Sequence, residues 1–222
     1  MERPYDLIIF DWDGTLIDSI GAIVGCTEAA LQDLELPSPG AVAIRSAIGL
    51  GLDETVRRFI PDFDAAQRQR LVERYRHHWF DRYGLGSPFF DGVPDLLAAL
   101  RRQGYLLAVA TAKGRRGLLN DLERLGLREH FDATRTAEET RSKPDPLMVE
   151  ELLEELGVRA ARALMVGDSI WDLEMAVNAR VGAVGVSSGA EVPERLEEIA
   201  PLAVLPDVTH LHEWLTTRIM AE

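Results

Sequence analysis

Apolar and polar positions repeat with two different periods along this chain, and the places where the period changes mark out its elements. The run Leu7-Ile8-Ile9-Phe10 is continuously apolar, as in a strand buried on both faces. From Ser19 to Leu34, apolar residues at 20, 23, 24, 31 and 34 trace one helical face, with Asp18 and Ser19 as start signals. Helical spacing continues over Leu52 to Ile60 and Ala65 to Tyr83. It is broken at Pro37-Ser38-Pro39-Gly40, at Pro61-Asp62 and at Gly84-Leu85-Gly86-Ser87-Pro88, and no strand pattern appears there. Beyond Asp91 the two periods alternate. Helices are predicted at Val93 to Gln103, Arg115 to Leu125, Pro144 to Leu156, Trp171 to Ala179 and Leu211 to Ile219. Strands are predicted at Tyr105 to Ala110, near Phe131, at Ala163 to Val166 and at Ala183 to Val186. This alternation predicts an α/β fold, a doubly wound parallel sheet of Rossmann-like character.

One spacing breaks the regularity. The first strand ends at Phe10 and the second begins at Tyr105, far beyond the roughly 30 residues of a βαβ unit. The excess reads as an inserted small α-helical cap, giving a core domain of residues 1–15 and 89–222 and a cap of residues 16–88. Both connections flank the end of the first strand, so a hinged cap could exclude water there. A helical arm used for dimerisation is the alternative, and the oligomeric state is not readable.

Composition narrows the partners. Among 222 residues, 37 acids outweigh 24 bases for a formal charge of −13, which excludes nucleic acid and anionic membrane surfaces as partners. No apolar run approaches the ~20 residues of a membrane span, and no leader pattern is visible, so a cytoplasmic protein is expected. Cys26 is the only cysteine. It excludes an internal disulfide and falls in the periodic apolar set of its helix, which suggests packing.

The candidate chemistry gathers at strand ends. Asp11-Trp12-Asp13-Gly14-Thr15 follows the first apolar run, placing two carboxylates where ligands bind in open α/β sheets. Acids two apart on an extended segment share a face and repel unless a cation such as Mg²⁺, which takes oxygen ligands, lies between them. The second strand leads into Thr111-Ala112-Lys113, whose hydroxyl and backbone N–H groups could hold phosphate oxygens. Lys143 precedes Pro144, which biases it toward an extended backbone and aims a cation at the sheet edge. Gly167-Asp168-Ser169-Ile170-Trp171-Asp172 ends the fourth strand with two more carboxylates. Helix capping accounts for one aspartate, not for this many acids at one edge without a cation. Lys113 and Lys143 are the only lysines among 24 basic residues, marking places that want a compact ammonium rather than a planar fork.

In order, Asp11-x-Asp13-Gly-Thr, Thr111, Lys143-Pro and Gly-Asp168-x3-Asp172 resemble the four motifs of the haloacid dehalogenase superfamily, over the whole chain. The helical insertion resembles that superfamily's α-helical cap, and Asp11 to Ser19 its phosphoglycolate phosphatase branch. The resemblance implies a Mg²⁺-dependent phosphatase acting on a small phosphorylated metabolite, with 2-phosphoglycolate the leading substrate. It implies Asp11 as nucleophile and Asp13 as general acid/base. Asp168 would bind Mg²⁺ with Asp11 and the Asp13 backbone carbonyl, and Thr111 and Lys143 would hold phosphate. Thr15 would orient Asp13 or the turn, and Asp172 a metal-bound water or Lys143. Arg45, Ser46, Gly49 and Lys113 are the candidate specificity residues; a guanidinium at 45 could bind a substrate carboxylate, or simply be solvated. Two other readings stay open. A sugar phosphomutase would carry a histidine shortly after the first motif, where this chain has Ile23. A phospho-accepting signalling module orders its acids differently. A Schiff-base lyase would need a cap lysine, and residues 16–88 hold none. His77, His78, Trp79 and Trp171 read as packing or surface residues, and His210 and His212 carry no chemistry.

Overall fold

A computed structural model describes residues 3–83 and 86–221; Gly84 and Leu85, in the last cap break, lie outside the described residues. The first strand, β1 (Leu7–Phe10), is followed by four helices: α1 (Ile20–Asp33), α2 (Ala41–Ser46), α3 (Leu52–Phe59) and α4 (Ala65–His78), with a π-helical turn at Trp79–Tyr83. The chain then runs α5 (Val93–Arg102), β2 (Leu106–Thr111), α6 (Arg115–Arg124), β3 (Ala133–Thr136), α7 (Leu147–Leu156) and β4 (Ala163–Gly167). It ends with α8 (Ile170–Asn178), β5 (Gly182–Val186), α9 (Pro193–Glu197), β6 (Ala203–Leu205) and α10 (Leu211–Ala221).

All strands pair in parallel in the order β3-β2-β1-β4-β5-β6. The continuous apolar run of β1 is explained by its central place. Ile8 and Phe10 enter one core with Leu107, Val109, Leu164 and Val166 beneath α5, α6 and α10, while Leu7 and Ile9 enter the opposite core with Ala108, Met165 and α7 and α8. Each of the fully buried Leu, Ile, Val, Phe and Met side chains among these stabilises the fold by roughly 1.5–3 kcal/mol. The strand order reverses at β1, whose neighbours are β2 on one side and β4 on the other. A crevice opens at such a switch point, beyond the carboxyl ends of the strands.

The four-helix insertion has a smaller core of its own, where Ala30, Leu31, Val56 and Leu71 are buried together. Asp64 and Gln67 form a reciprocal capping box that starts α4. Cys26 is packed there as expected, its thiol donating to the Tyr75 carbonyl at 3.0 Å and pushed up to about 12 by burial. Where the insertion leaves and rejoins the core, the two crossing segments bond to one another. The Asp18 N–H donates to the Pro88 carbonyl at 2.9 Å, and the Phe90 N–H to the Leu16 carbonyl at 3.1 Å.

Some sequence expectations shift. The helix expected from Pro144 begins at Leu147, because Ser142 to Asp145 first closes a turn through the Asp145 N–H and the Ser142 carbonyl at 3.1 Å. The strand expected near Phe131 starts at Ala133 and carries the mixed pattern Ala-Thr-Arg-Thr. The helical pattern predicted to run to Tyr83 changes to a π-helical turn at Trp79–Tyr83, and α9 and the three-residue edge strand β6 carry too short a pattern to predict.

Candidate active site

Side chains from four strand ends meet at the switch point. Asp11 continues β1, and its N–H donates to the Val166 carbonyl of β4 at 2.9 Å, which fixes the start of the turn. Thr111 closes β2, Lys143 comes from the turn before α7, and Asp168 follows β4. All four, with Asp172, are buried.

Lys143 organises the floor. Its ammonium, wholly buried, lies 2.6 Å from Asp11 Oδ1 and 2.6 Å from Asp172 Oδ1. Burial by itself would lower the lysine pKa, but the two carboxylates more than offset it and hold the pKa above the ordinary value. Asp172 is set by the start of α8, where its Oδ2 accepts the Ser169 N–H at 3.1 Å and the Ser169 hydroxyl at 2.6 Å. Of the two supporting roles expected for it, the one toward Lys143 is the contact seen.

Asp168 is enclosed just as closely. Its Oδ1 accepts the Thr15 hydroxyl at 2.8 Å and its Oδ2 the Ala190 N–H at 2.6 Å. Thr15 therefore orients Asp168; it was expected to orient Asp13 or the turn, and the correction follows from the turn carrying its hydroxyl toward β4. Gly14 has φ +87°, and a Cβ there would lie 2.2 Å from Asp168 Oδ2, so only glycine fits this turn.

Burial pushes the Asp11 carboxyl up to about 7, with Asp172 adding to the rise and Lys143 opposing it. Asp168 is raised well above its ordinary value, again by burial first and then by Asp11 and Asp172. One ligand oxygen from each of Asp11, Asp168 and Asp172 lies within 4.8 Å of the others. Three buried carboxylates against one ammonium leave an excess of negative charge, and an all-oxygen donor set of this kind fits a hard divalent cation.

Asp13 faces away from this cluster. Its Oδ1 accepts the Ser19 hydroxyl at 2.7 Å and the Lys113 ammonium at 3.0 Å. Ser19, read as a helix start, occupies the N-cap position of α1 but spends its hydroxyl on Asp13. Asp11, Asp13, Thr111 and Lys113 line a cleft of about 970 Å³ between core and cap, whose cap wall includes Gly49, Tyr75, Trp79 and Phe80.

The four specificity candidates separate. Gly49 lines the cleft with φ +103°, and a Cβ there would approach Ser169 Oγ to 2.5 Å. Lys113 lines it too, but its charge is taken by Asp13 and by Asp121 at 3.3 Å, with the Trp79 ring 4.2 Å away. Arg45 and Ser46 are not among the cleft residues. Arg45 donates to the Ala190 carbonyl at 3.0 Å and to the Gly189 carbonyl, tying α2 to the loop after β5, and the Ser46 hydroxyl returns to the Ala43 carbonyl at 2.9 Å. The guanidinium expected for a substrate carboxylate is thus committed to backbone. Sequence reasoning missed Asp121, although a charged residue on the apolar stripe of α6 beside Leu118 and Leu122 was a visible signal. Trp79, expected as a packing or surface residue, lines the cleft with its ring against the Lys113 ammonium.

Comparison with known proteins decides the family. Residues 8 to 186 match the family model for haloacid dehalogenase-like hydrolases. The chain belongs to that family. Among its relatives, a protein named "Probable phosphatase IndB" from Dickeya dadantii is 35% identical over 90% of this chain and 88% of its own length. A phosphoglycolate phosphatase of Mesorhizobium japonicum is 32% identical over 99% of this chain and 98% of its own. A crystal structure from Bacteroides fragilis, titled a haloacid dehalogenase-like hydrolase, superposes with a TM-score of 0.87 at 25% identity, over 93% of this chain and 99% of that one. This hydrolase therefore shares the α/β core and helical cap of its family. Among the described residues no helix is long and apolar enough to cross a membrane.

Proposed function

We propose that this hydrolase is a Mg²⁺-dependent phosphatase of a small phosphate monoester, working through a phospho-enzyme at Asp11. It is a phosphoric monoester hydrolase, as its family and its phosphatase relatives indicate. The observation that carries the reading is the buried Asp11-Lys143-Asp172 group beside Asp168 at the sheet's switch point. In this reading a core of residues 1–15 and 89–222 holds the reacting groups, and residues 16–88 form the cap.

A phosphate dianion repels a carboxylate, so positive charge must gather on the phosphoryl oxygens before Asp11 can attack. Lys143 supplies part of it from beneath, and Thr111 offers a hydroxyl at the end of β2. Asp11, Asp168 and the Asp13 backbone carbonyl would hold Mg²⁺, which when bound offsets further charge on those oxygens. Asp11 forms a bond to phosphorus as the bond to the ester oxygen breaks, and Asp13 gives that leaving oxygen a proton. Asp13 then takes a proton from the water that hydrolyses the acyl phosphate, restoring Asp11 and freeing inorganic phosphate.

2-Phosphoglycolate is the substrate we put first, on the strength of the relatives that carry its name. Phosphate release would be followed over a panel of 2-phosphoglycolate, sugar phosphates and nucleotides, with and without Mg²⁺, beside Asp11→Asn. Release that needs Mg²⁺ and vanishes in the variant supports the mechanism. Even turnover of many esters would reject the substrate assignment, and an inert panel would reject the phosphatase.

A further inference from the structure

Asp121 is a buried carboxylate that the reaction above does not use. It sits on the inward stripe of α6 with Gly117, Leu118 and Leu122, a place where an unpaired charge would be costly. Its Oδ2 has two partners with a common bearing. One is the indole N–H of Trp12 at 3.1 Å, and the other is the Lys113 ammonium at 3.3 Å. Trp12 stands between Asp11 and Asp13 in the chain and is wholly buried. Lys113 in turn lies 3.0 Å from Asp13 Oδ1. Oδ1 of Asp121 receives Arg124 at 3.3 Å, which secures the carboxylate from its outer side.

We propose that Asp121 is a positioning residue for Asp13, a reading that rests on Asp13 being the general acid/base of the phosphatase. One oxygen atom grips both the residue preceding Asp13 and the cation that holds its carboxylate, so the backbone and the side chain of Asp13 are referred to the same fixed point. Two carboxylates also share one ammonium. Without Asp121, Lys113 pairs with Asp13 alone and draws it away from the leaving oxygen. On the cap side the Trp79 ring lies 4.2 Å from the ammonium and adds a cation–π contact to the two carboxylates.

The test follows phosphate release from 2-phosphoglycolate or a sugar phosphate, alkyl esters whose leaving oxygen needs a proton, with Mg²⁺ and four proteins: wild type, Asp121→Asn, Lys113→Met and the double variant. Asparagine keeps an acceptor for the Trp12 indole and removes the charge, so Asp121→Asn is expected to melt with the wild type. Its kcat should fall about tenfold with KM within about twofold, since a displaced acid/base affects the reacting state more than binding. In the Lys113→Met background the same substitution should cause no further loss, because its route to Asp13 is gone. Losses that multiply in the double variant, an unchanged kcat in Asp121→Asn, or a loss that only follows a lowered melting temperature would each overturn the proposal while wild-type turnover leaves the phosphatase standing. A wild type that releases no phosphate removes the phosphatase reading, and this proposal falls with it.

Discussion

The floor of the cleft and its cap wall are built on opposite terms. At the floor Asp11 lines the cleft with its side chain 4% exposed. Beneath it the side chains of Lys143, from the turn before α7, and Asp172, from the first turn of α8, are wholly buried and do not line the cleft. Across the wall, Arg76 of α4 meets Glu138 of the core at 2.6 Å with their side chains 53% and 43% exposed, and Arg57 pairs with Asp53 in open water. Low dielectric magnifies every charge at the floor and makes each one depend on its partners. Water screens the wall pairs, so they can part and reform as a substrate enters. On the proposed mechanism, the contrast separates a floor where the chemistry would be fixed from a wall where selectivity could drift. A cleft of about 970 Å³ gives the wall room to vary while the floor stays constant.

The largest test of that division is Asp11→Asn, which should reduce phosphate release roughly 10⁴-fold or more while circular dichroism shows the fold intact. Activity surviving in that variant would place the reacting group elsewhere. Lys143→Met comes next. It strands Asp11 and Asp172 as buried charges beside a methionine, and the expected loss of stability is about 3–5 kcal/mol in a urea titration. A loss under about 1 kcal/mol would mean the floor is wetter than its burial implies.

Magnesium and pH probe the same floor more gently. The folded-state pKa of Asp11 is raised above its unfolded value, so its contribution favours folding at low pH and is lost as pH rises through about 7. Asp168 shifts in the same direction. Metal-free protein should therefore melt at progressively lower temperature between about pH 4 and pH 8, and Mg²⁺ should recover more of the difference at pH 8 than at pH 5. A metal effect that is equal at both would disconnect the cation from these carboxylates. The smallest effect is expected on the wall. Arg76→Ala should change stability by less than about 1 kcal/mol and leave kcat close to wild type. A large loss of kcat there would erase the distinction between floor and wall.

How much of this was legible follows the same line. β1, β2, β4 and β5 could be read because central strands are buried on both faces and so appear as unbroken apolar runs. β6 could not, since Ala203–Leu205 is a three-residue edge strand, half-buried throughout. Asp11, Asp13, Lys143, Asp168 and Asp172 stand out because this many acids, with one of the chain's two lysines, just past the strands have no cheap structural explanation. Arg45 misled for the converse reason: an arginine beside a glycine-rich loop looks identical whether it meets a ligand or the backbone carbonyls of Gly189 and Ala190.

By itself the sequence determined the alternation of elements, the place of the insertion and the residue types at each strand end, because these depend on local period and on chemistry that is expensive to bury without cause. Tertiary structure alone decided who partners whom. Thr15 serves Asp168, Lys113 is shared between Asp13 and Asp121, and the Trp79 ring covers that lysine. Those pairings join residues up to 153 positions apart, and such distances are closed by the packing of strands and helices around one sheet, which no local pattern encodes.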